Sequence, residues 1–118
     1  MRSEGQIQSK KHELRLAKLV GGKRTAASGA FWNKKGDVRS EEYLFEHKWT
    51  GKKSFTLKSD VLEKIVTEAI MDGRTPAFGV SLNDQNYILI EEHHFLELRS
   101  IIDGMAYESL QQLEADKE

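Results

Sequence analysis

The stretch GDVRSEEYLFEHK, Gly36–Lys48, decides the predicted fold of this chain. Its pattern predicts two neighbouring strands, Gly36–Arg39 and Tyr43–Trp49, joined by a polar turn. Side chains alternate between the two faces of a strand, so Glu46 and Lys48 are expected on one face. The residues on either side of Glu46 are then expected on the opposite face.

Asp37 lies on the first predicted strand, where it can come beside Glu46 on the second. Two carboxylates held together repel each other unless a cation joins them, and hard divalent cations prefer oxygen ligands. The strand pair therefore predicts a site that binds magnesium and cleaves a phosphodiester. A simpler alternative for Glu46 and Lys48 is a salt bridge along one strand face, worth roughly 0.2–1 kcal/mol.

Positive charge is concentrated in the half of the chain that holds this cluster. Residues 1–58 contain 14 Lys and Arg against 6 Asp and Glu, whereas residues 59–118 contain 4 against 13. Basic side chains around an acidic centre suit a polyanionic ligand. Nucleic-acid contacts are expected from Lys11, Arg15, Lys18, Lys23, Arg24, Lys34, Lys35, Lys52 and Lys53. The alternative for each of them is a solvated surface position.

Length and composition favour one compact domain. A chain of 118 residues can bury a single modest core. It contains no cysteine, which excludes disulfides, zinc–cysteine sites and thiol nucleophiles, and this favours a cytoplasmic protein. No apolar run resembles a signal peptide or approaches the length of a membrane span, so no membrane association is expected.

The first predicted helix covers Gln8–Val20 and is ended by Gly21-Gly22. Glu13 lies within its apolar arc, where a carboxylate is costly unless another group pairs with it. This position indicates either a role at the site or a partly exposed residue near the helix start, where the helix dipole tolerates negative charge. The arc itself is made by Leu14, Leu16, Ala17, Leu19 and Val20.

Residues 23–30, KRTAASGA, predict a mobile loop. Small side chains let a backbone approach a ligand, so Lys23, Arg24 and Ser28 are candidates for phosphate contacts. A plain connector is the alternative. The pair Phe31–Trp32 follows, and it is expected either to be buried at the start of a strand or to stack on a base.

The rest of the chain predicts a helix between strands and a helical C-terminus. Asp60 and Glu63 have capping-box spacing at the start of the second helix, and Gly73 ends it. A strand, a helix and a strand in this order imply a parallel pair with a right-handed crossover. The other expected elements are strands at Ser54–Leu57, Ala77–Leu82 and Tyr87–Ile90, a helix from Glu91 and an acidic helix at Ala106–Lys117.

The order of these motifs resembles the PD-(D/E)xK nuclease superfamily, and within it the small archaeal-type Holliday junction resolvases and their phage-encoded relatives. The resemblance implies a restriction-endonuclease-like α/β fold, with a central mixed β-sheet flanked by helices in the order α-β-β-(β)-α-β-β-α. It covers about residues 9–98 of one nuclease domain, with 99–118 as a helical tail. The matching motifs are Glu13, Ser28-Gly29, Gly36-Asp37-Val38, Glu46-His47-Lys48 with Thr50, and Gly73-Arg74-Thr75-Pro76.

The resemblance also implies a role for each matching residue. Asp37 and Glu46 would bind the metal, Mg²⁺ with Mn²⁺ as a substitute, together with the backbone carbonyl of His47. Glu13 would complete or orient this metal site. Lys48 would position or activate the attacking water. The chemistry of hydrolysis separately favours Lys48 as a fixed positive charge beside that water, and a lysine near a metal or in a partly buried site is expected to have a lowered pKa.

Ser28 would match the serine that the resolvase branch carries on its mobile loop. Two positions depart from the family pattern: Gly36 replaces the proline of the family's name, and the bulky Trp49 follows the lysine. Branched DNA such as a Holliday junction would be the substrate. A homodimer is expected, because cutting both strands of a junction needs two related sites.

Two other functions fit the same residues. One is a nuclease of the same fold that acts on another DNA substrate, and the other is a non-catalytic nucleic-acid-binding module. The histidines indicate no separate site. Adjacent His93-His94 on a helix cannot both face one metal, and His12 and His47 have no recognisable serine–aspartate partners.

Overall fold

The computed structural model describes residues 3–25 and 36–117 of the chain. Strands and helices alternate so that the chain is of the α/β class. In chain order, the elements are α1 (Glu4–Leu19), β1 (Lys23–Arg24), β2 (Val38–Arg39), β3 (Tyr43–Thr50), α2 (Ser59–Met71), β4 (Thr75–Leu82), β5 (Gln85–Leu89) and α3 (Glu92–Asp116).

The five strands form one mixed sheet in the spatial order β1-β2-β3-β4-β5. β3 and β4 are parallel, and every other neighbouring pair is antiparallel. The parallel pair is connected through α2, as the strand–helix–strand pattern predicts. The predicted mixed sheet with flanking helices is therefore confirmed.

Helices cover the sheet on both of its faces, and neighbouring residues of β3 point alternately to one face and to the other. Phe45 packs against Leu16 and Ala17 of α1, with Val38 and Ala77 in the same cluster. On the other face, the core cluster consists of Leu44, Ile65 and Ala69, of which the last two belong to α2. The central strand β3 thus belongs to both cores, which fixes the directions of its polar residues.

Helix α1 begins four residues before its predicted start at Gln8. The hydroxyl of Ser3 accepts a hydrogen bond from the Gln6 amide, and the Gln6 side chain accepts one from the Ser3 amide. This capping box satisfies two amides that a helix start leaves unpaired. The predicted end is confirmed, since Gly21 follows the helix with φ of 66°.

The predicted apolar arc of α1 is only partly buried. Leu16 and Ala17 are in the core, whereas Leu14 and Leu19 are 50% and 70% exposed. The sheet reaches only a narrow stripe of this helix, because β1 and β2 are two residues long each. Periodicity indicated the correct side of the helix and overestimated the width of its buried face.

Two strand predictions are wrong in complementary ways. Residues 54–57 form no strand and pair with no strand of the described chain, so they do not add to the sheet. Lys23–Arg24 instead forms the edge strand β1, in a segment predicted to be a mobile loop. A strand of two residues has no periodicity of its own, and its pairing with Val38–Arg39 is decided by the sheet.

The predicted capping box of α2 is also wrong. The helix begins at Ser59 with Lys58 as its N-cap, and no side chain caps it. Its predicted end is confirmed, because Gly73 adopts a φ of 67° directly after the last turn. The spacing of Asp60 and Glu63 was misleading because both residues lie inside the helix.

The two predicted C-terminal helices are one continuous helix, α3, of 25 residues. Gly104 lies inside it without ending it, since a helix can accommodate a glycine at a modest cost. The boundaries of β4 and β5 shift by up to two residues from those predicted. No helix of the described ranges has both the length and the apolar character needed to cross a membrane.

Gly22 is required where α1 meets the end of β2. A methyl group at this position would lie 2.3 Å from the carbonyl oxygen of Arg39. We expect Gly22→Ala to lower the free energy of unfolding by about 1–3 kcal/mol in urea titration, because backbone must move to admit the methyl group. Gly5→Ala in the first turn of α1 is the matched control and should be neutral or stabilising, since its methyl group meets no atom closer than 3.9 Å.

Candidate active site

Asp37 is held against β3 at the point where β2 joins it. The register pairs Val38 with Phe45, so Asp37 lies opposite Glu46. Its amide donates to the Phe45 carbonyl at 2.8 Å. Its carboxylate Oδ2 accepts a hydrogen bond of 2.7 Å from the His47 amide. Asp37 is thus anchored to the central strand by both its backbone and its side chain.

Glu46 and Lys48 are on the same face of β3, as strand alternation predicts. Lys48 Nζ lies 3.1 Å from Glu46 Oε1, and the side chains are 45% and 12% exposed. His47 points to the opposite face, where its ring stacks on that of His12 of α1 at 5.8 Å. The glutamate is therefore nearly enclosed, and the ammonium beside it reaches solvent.

Glu13 is buried, although it is a carboxylate on the core side of α1. Its Oε1 accepts a hydrogen bond of 2.8 Å from Arg24 Nε, which supplies the pairing that burial requires. The inward position of Glu13 is confirmed, and the partly exposed alternative is wrong. Arg24, predicted to contact phosphate, has its guanidinium engaged with this carboxylate.

The charges of Glu46, Glu13 and Lys48 all act on the ionisation of Asp37. Burial and the charge of Glu46 raise the pKa of Asp37 from 3.8 to about 7, against the opposing effect of the His47 amide hydrogen bond. Glu13 raises this pKa further, and Lys48 opposes the rise. Such interactions require the groups to be near one another in a poorly solvated region. The four side chains Glu13, Asp37, Glu46 and Lys48 therefore form one electrostatic unit.

The pKa of Lys48 is raised, which corrects the expectation that it would be lowered. Burial acts to lower this pKa, but the charge and hydrogen bond of Glu46 outweigh burial, with help from Asp37 and Glu13. The pKa of Glu13 is raised by burial, although the Arg24 hydrogen bond opposes that effect. Lys48 is consequently an ammonium at neutral pH and acts as a fixed positive charge.

Among residues 3–25 and 36–117, no three His, Cys, Asp or Glu side chains are grouped so that they could hold a metal ion. Each carboxylate of the unit instead contacts a donor of the chain itself. Arg24 holds Glu13, the His47 amide holds Asp37, and Lys48 holds Glu46. Any cation at this site would be bound by fewer than three of these side chains or after some of them rearrange.

Gly36 adopts a φ of 72°, in the left-handed region that favours glycine. Proline is restricted to a φ near −65° and cannot occupy this conformation. The Gly36 amide donates to Glu68 Oε2 of α2 at 3.0 Å, and Thr25 Oγ1 donates to the Gly36 carbonyl at 2.5 Å. Sequence analysis missed Thr25 and Glu68, because each lies far along the chain from the glycine that it positions.

Trp49, the second departure, does not crowd the lysine. It alternates with Lys48 along β3 and therefore points to the face covered by α1. There it lines a recess of about 440 Å³ together with His12 and Ser81. The bulk of the indole is thus directed away from the carboxylates.

The cations predicted to contact nucleic acid differ in how available they are. Arg24 is paired with Glu13, and Arg15 is partly buried, with its Nε buried and without a hydrogen-bond partner in the described chain. Exposed positions are occupied by Lys11, Lys18, Lys23, Lys52 and Lys53. Lys34, Lys35, Ser28, Phe31 and Trp32 lie outside the described residues.

A second polar cluster, which sequence analysis missed, lies on the α1 face. Ser81 Oγ is 3.2 Å from His47 Nε2 and 3.4 Å from His12 Nδ1, and it donates to Asn86 Oδ1 at 2.5 Å. Burial lowers the pKa of His47 to about 4, with His12 adding to the effect. The pairing of β4 with β5 brings Asn86 beside Ser81. Sequence periodicity could not specify this contact, because it does not say which residues of two strands pair.

The adjacent histidines of α3 lie in different surroundings. His94 is buried and its Nε2 lies 2.6 Å from the Tyr43 hydroxyl. His93 is exposed between Glu91 and Glu97. Their roles are to attach the start of α3 to the sheet and to pair with surface carboxylates.

No family model, curated protein or solved structure matches the chain. Any function must therefore be argued from its own residues. The unit of Glu13, Asp37, Glu46 and Lys48 joins three carboxylates and one ammonium.

We expect Asp37→Asn to stabilise the metal-free protein at pH 8 and to change its stability little at pH 4. The folded pKa of about 7 lies above 3.8, so the folded state holds an extra proton between these values. The stability that this proton contributes is complete below pH 3.8 and is lost as pH rises through 7. Asparagine cannot ionise and still accepts the His47 hydrogen bond.

The gain at pH 8 should be on the order of a few kcal/mol, measured by urea unfolding in EDTA. Asp84→Asn, in the exposed turn between β4 and β5, is the matched control and should show no such pH dependence. A difference between Asp37→Asn and the native protein that is constant from pH 4 to pH 8 would contradict the prediction.

Proposed function

We propose that this chain is a metal-dependent DNA endonuclease that hydrolyses phosphodiester bonds. The observation that carries the proposal is the juxtaposition of Asp37 and Glu46 across β2 and β3, with the Lys48 ammonium 3.1 Å from Glu46. The charge of Glu46 raises the pKa of Asp37, and a divalent cation between the two carboxylates would offset that repulsion. A divalent cation and a fixed positive charge can together supply the nucleophile and the charge relief that phosphodiester hydrolysis requires.

The donor set fits Mg²⁺, with Mn²⁺ as a substitute. Both ions prefer oxygen, and Mg²⁺ usually keeps several waters, so two carboxylates are enough protein side-chain ligands. Asp37 and Glu46 would hold the ion with the backbone carbonyl of His47, and Glu13 would complete or orient the site. When bound, the metal would lower the pKa of a water and withdraw charge from a phosphate oxygen.

The chain's own residues would prepare this site. The His47 amide orients one carboxylate oxygen of Asp37, and Arg24 keeps Glu13 in place within the core. Lys48 stays protonated, because the surrounding carboxylates raise its pKa. Its ammonium would therefore position the attacking water and balance charge on the phosphate, without serving as the base.

The order of elements supports a restriction-endonuclease-like fold. The chain has the order α-β-β-β-α-β-β-α, in which the additional strand is Lys23–Arg24, before the pair that carries the carboxylates, and not the expected Ser54–Leu57 after it. The carboxylates come from β3 and from the residue before β2, and Glu13 comes from the first helix. The resemblance to PD-(D/E)xK nucleases rests on the same positions.

DNA is the proposed substrate because the chain's cations are concentrated in the half of the sequence that contains these residues. Exposed lysines at 11, 18, 23, 52 and 53 belong to the half of the chain that contains the site. Lysines attract the phosphate backbone regardless of sequence, so they favour selection by shape. Branched DNA such as a four-way junction is the substrate suggested by the resolvase resemblance.

The proposal is tested by a cleavage panel of four-way junction, flap, linear duplex and single-stranded DNA. We expect cleavage in Mg²⁺ and in Mn²⁺, none in EDTA, and the highest rate on the junction. Preference for another substrate in the panel would keep the nuclease and reject the junction. No cleavage of any DNA, with correctly folded protein and either metal, would reject the nuclease.

A non-catalytic nucleic-acid-binding module is the second candidate function. It is favoured by the contacts of Arg24, the His47 amide and Lys48, which already satisfy all three carboxylates. This function predicts DNA binding that EDTA does not change, measured by fluorescence anisotropy, without cleavage. Tighter binding of DNA when Ca²⁺ is added would favour the nuclease, because a calcium ion can occupy carboxylates without supporting cleavage.

A further inference from the structure

The recess that contains Trp49 lies beside the ends of β3 and β4, on the face of the sheet that α1 covers. Its volume of about 440 Å³ is within the range of sites that bind small molecules, roughly 300–1,000 Å³. Residues of α1, of the end of β3 and of the β4–β5 hairpin line it, and apart from the indole they are polar. A ligand here would therefore combine a flat apolar ring with hydrogen-bonding groups.

A buried serine fixes the hydrogen bonds at the inner side of the recess. Ser81 is 3% exposed, and its hydroxyl donates to Asn86 Oδ1 at 2.5 Å. A hydroxyl has one proton, so its oxygen can only accept from the two imidazoles nearby. These contacts are 3.2 Å to His47 Nε2 and 3.4 Å to His12 Nδ1. In their neutral form, both rings therefore carry the proton on the nitrogen that faces Ser81.

This arrangement determines which polar groups the recess offers to a ligand. With its proton on Nδ1, the neutral ring of His12 keeps Nε2 as an acceptor. Asn86 uses its oxygen for Ser81, so its Nδ2 group is the part that can donate. Gln8 donates through Nε2 to Glu4 Oε1 at 3.4 Å, and its own Oε1 is an acceptor. The recess thus combines one amide donor with several acceptors.

The indole of Trp49 supplies a flat apolar surface in this polar setting. The residue is half-buried, and Gly51 follows it without a side chain that would crowd the ring. A methyl group at this glycine would lie 3.3 Å from Trp49 Cη2. Aromatic side chains bind nucleobases by stacking, and every base has a π-face that can stack. The indole therefore favours a heteroaromatic ligand.

The charged side chains of the recess favour a base with an amino group and a phosphate. Asp84 lies at the β4–β5 turn, and a carboxylate accepts hydrogen bonds from the exocyclic amino group of a base. Lys11 is exposed on α1 at the same recess, where it can pair with a phosphate. Adenine, cytosine and guanine carry an exocyclic amino group, whereas thymine does not.

We propose that this recess binds one unpaired nucleotide, with its base stacked on Trp49. Asn86 donates to an acceptor of the base, and the acceptors of the recess receive its amino group. Bases with an exocyclic amino group are therefore preferred over thymine. The recess lies on the opposite face of β3 from Glu46 and Lys48. Binding here requires neither a metal nor cleavage, so its test is independent of the nuclease proposal.

The test uses the deoxynucleoside monophosphate of 2-aminopurine, a fluorescent base with an exocyclic amino group. Its fluorescence anisotropy is measured with the whole chain in EDTA, and we expect a dissociation constant of about 0.1 mM. The adenine, cytosine and guanine nucleotides should displace it. The thymine nucleotide should require about a tenfold higher concentration, because it leaves acceptors of the site unpaired. No rise in anisotropy up to about 1 mM protein, or equal displacement by the thymine nucleotide, would overturn the proposal.

Two variants locate the binding site. Asn86→Ala removes the amide donor at an exposed position and should weaken binding about tenfold. Trp49→Leu removes the stacking surface and should weaken binding at least about fivefold. Urea unfolding verifies that both variants are folded, and if Trp49→Leu is not, the result for Asn86→Ala decides.

The matched control is Gln85→Ala. Gln85 is also an exposed amide of β5, but it is adjacent to Asn86 and therefore points to the opposite face of the sheet. It should bind the nucleotide as the native chain does. Native affinity in Asn86→Ala, or in a folded Trp49→Leu variant, would overturn the proposal, because the nucleotide would then bind elsewhere.

The nucleotide could be free or part of a DNA strand, and a second measurement distinguishes these sources. The same fluorescent base is placed among thymines in a single-stranded oligonucleotide and in the corresponding duplex. If the recess accepts an unpaired base of DNA, Asn86→Ala should weaken binding of the single strand and leave binding of the duplex unchanged. An effect on the free nucleotide alone would identify a site for free nucleotides. An equal effect on the duplex would overturn the requirement for an unpaired base.

Discussion

Glu46→Gln is expected to abolish cleavage, lowering the rate at saturating Mg²⁺ by about a thousandfold or more while DNA is still bound. The substitution keeps the size of the side chain and removes the charge that would bind the metal and that pairs with Lys48 at 3.1 Å. Loss of one group that stabilises developing charge commonly costs a factor of about 10²–10³, and loss of a metal ligand adds to it. The measurement is single-turnover cleavage of the best substrate from the panel.

The control for Glu46 is Glu41→Gln, which removes one carboxylate from the exposed turn between β2 and β3. It should cleave within about twofold of the native rate, because surface substitutions away from a site change little. Anisotropy with labelled DNA separates binding from chemistry in both variants. Native cleavage by Glu46→Gln would exclude the proposed site, even if the chain remained a nuclease.

Leu44→Ala should lower the free energy of unfolding by about 3–5 kcal/mol, the largest stability effect that we expect. Leu44 is fully buried against Ile65 and Ala69 of α2. Its side chain also packs against Gly36, since a methyl group added at this glycine would lie 2.8 Å from the Leu44 side chain. Truncation opens a cavity under the turn that leads into Asp37, so we expect weaker cleavage together with lower stability.

Leu14→Ala is the corresponding control, since periodicity predicts a buried Leu14 and the structure exposes half of it. Urea unfolding should show a change of less than about 0.5 kcal/mol. Similar losses for Leu14→Ala and Leu44→Ala would mean that α1 buries a wider face than the structure shows. The variant keeps most of the protein's core, so we expect it to fold. A single cooperative unfolding transition would verify this.

Parts of the candidate site could be predicted because their geometry is local. Glu46 and Lys48 are two residues apart on a strand, and strand alternation alone brings them to one face. Asp37 could be placed beside them because a hairpin aligns residues close in sequence. Gly21 and Gly73 marked the ends of two helices for a similar reason, since left-handed φ values are local and favour glycine.

Other parts could not be predicted because their partners are remote. Arg24 was expected to meet phosphate, yet it pairs with Glu13, eleven residues earlier. Glu68 binds the Gly36 amide from 32 residues away. Neither contact follows from a periodic pattern in the sequence. The first forms only when α1 is packed against the sheet, and the second only when α2 is. The direction of the Lys48 pKa shift likewise depends on how many carboxylates surround the ammonium.

The sequence by itself determined the α/β class, the pair of strands and the side of β3 on which Glu46 and Lys48 lie, because alternation and helical period are properties of neighbouring residues. Only the tertiary structure decided that Glu13 is buried against Arg24, that Asp37 is anchored to the His47 amide, and that α3 is left uncovered. Burial and pairing depend on which elements meet in space, and a local pattern does not contain that information.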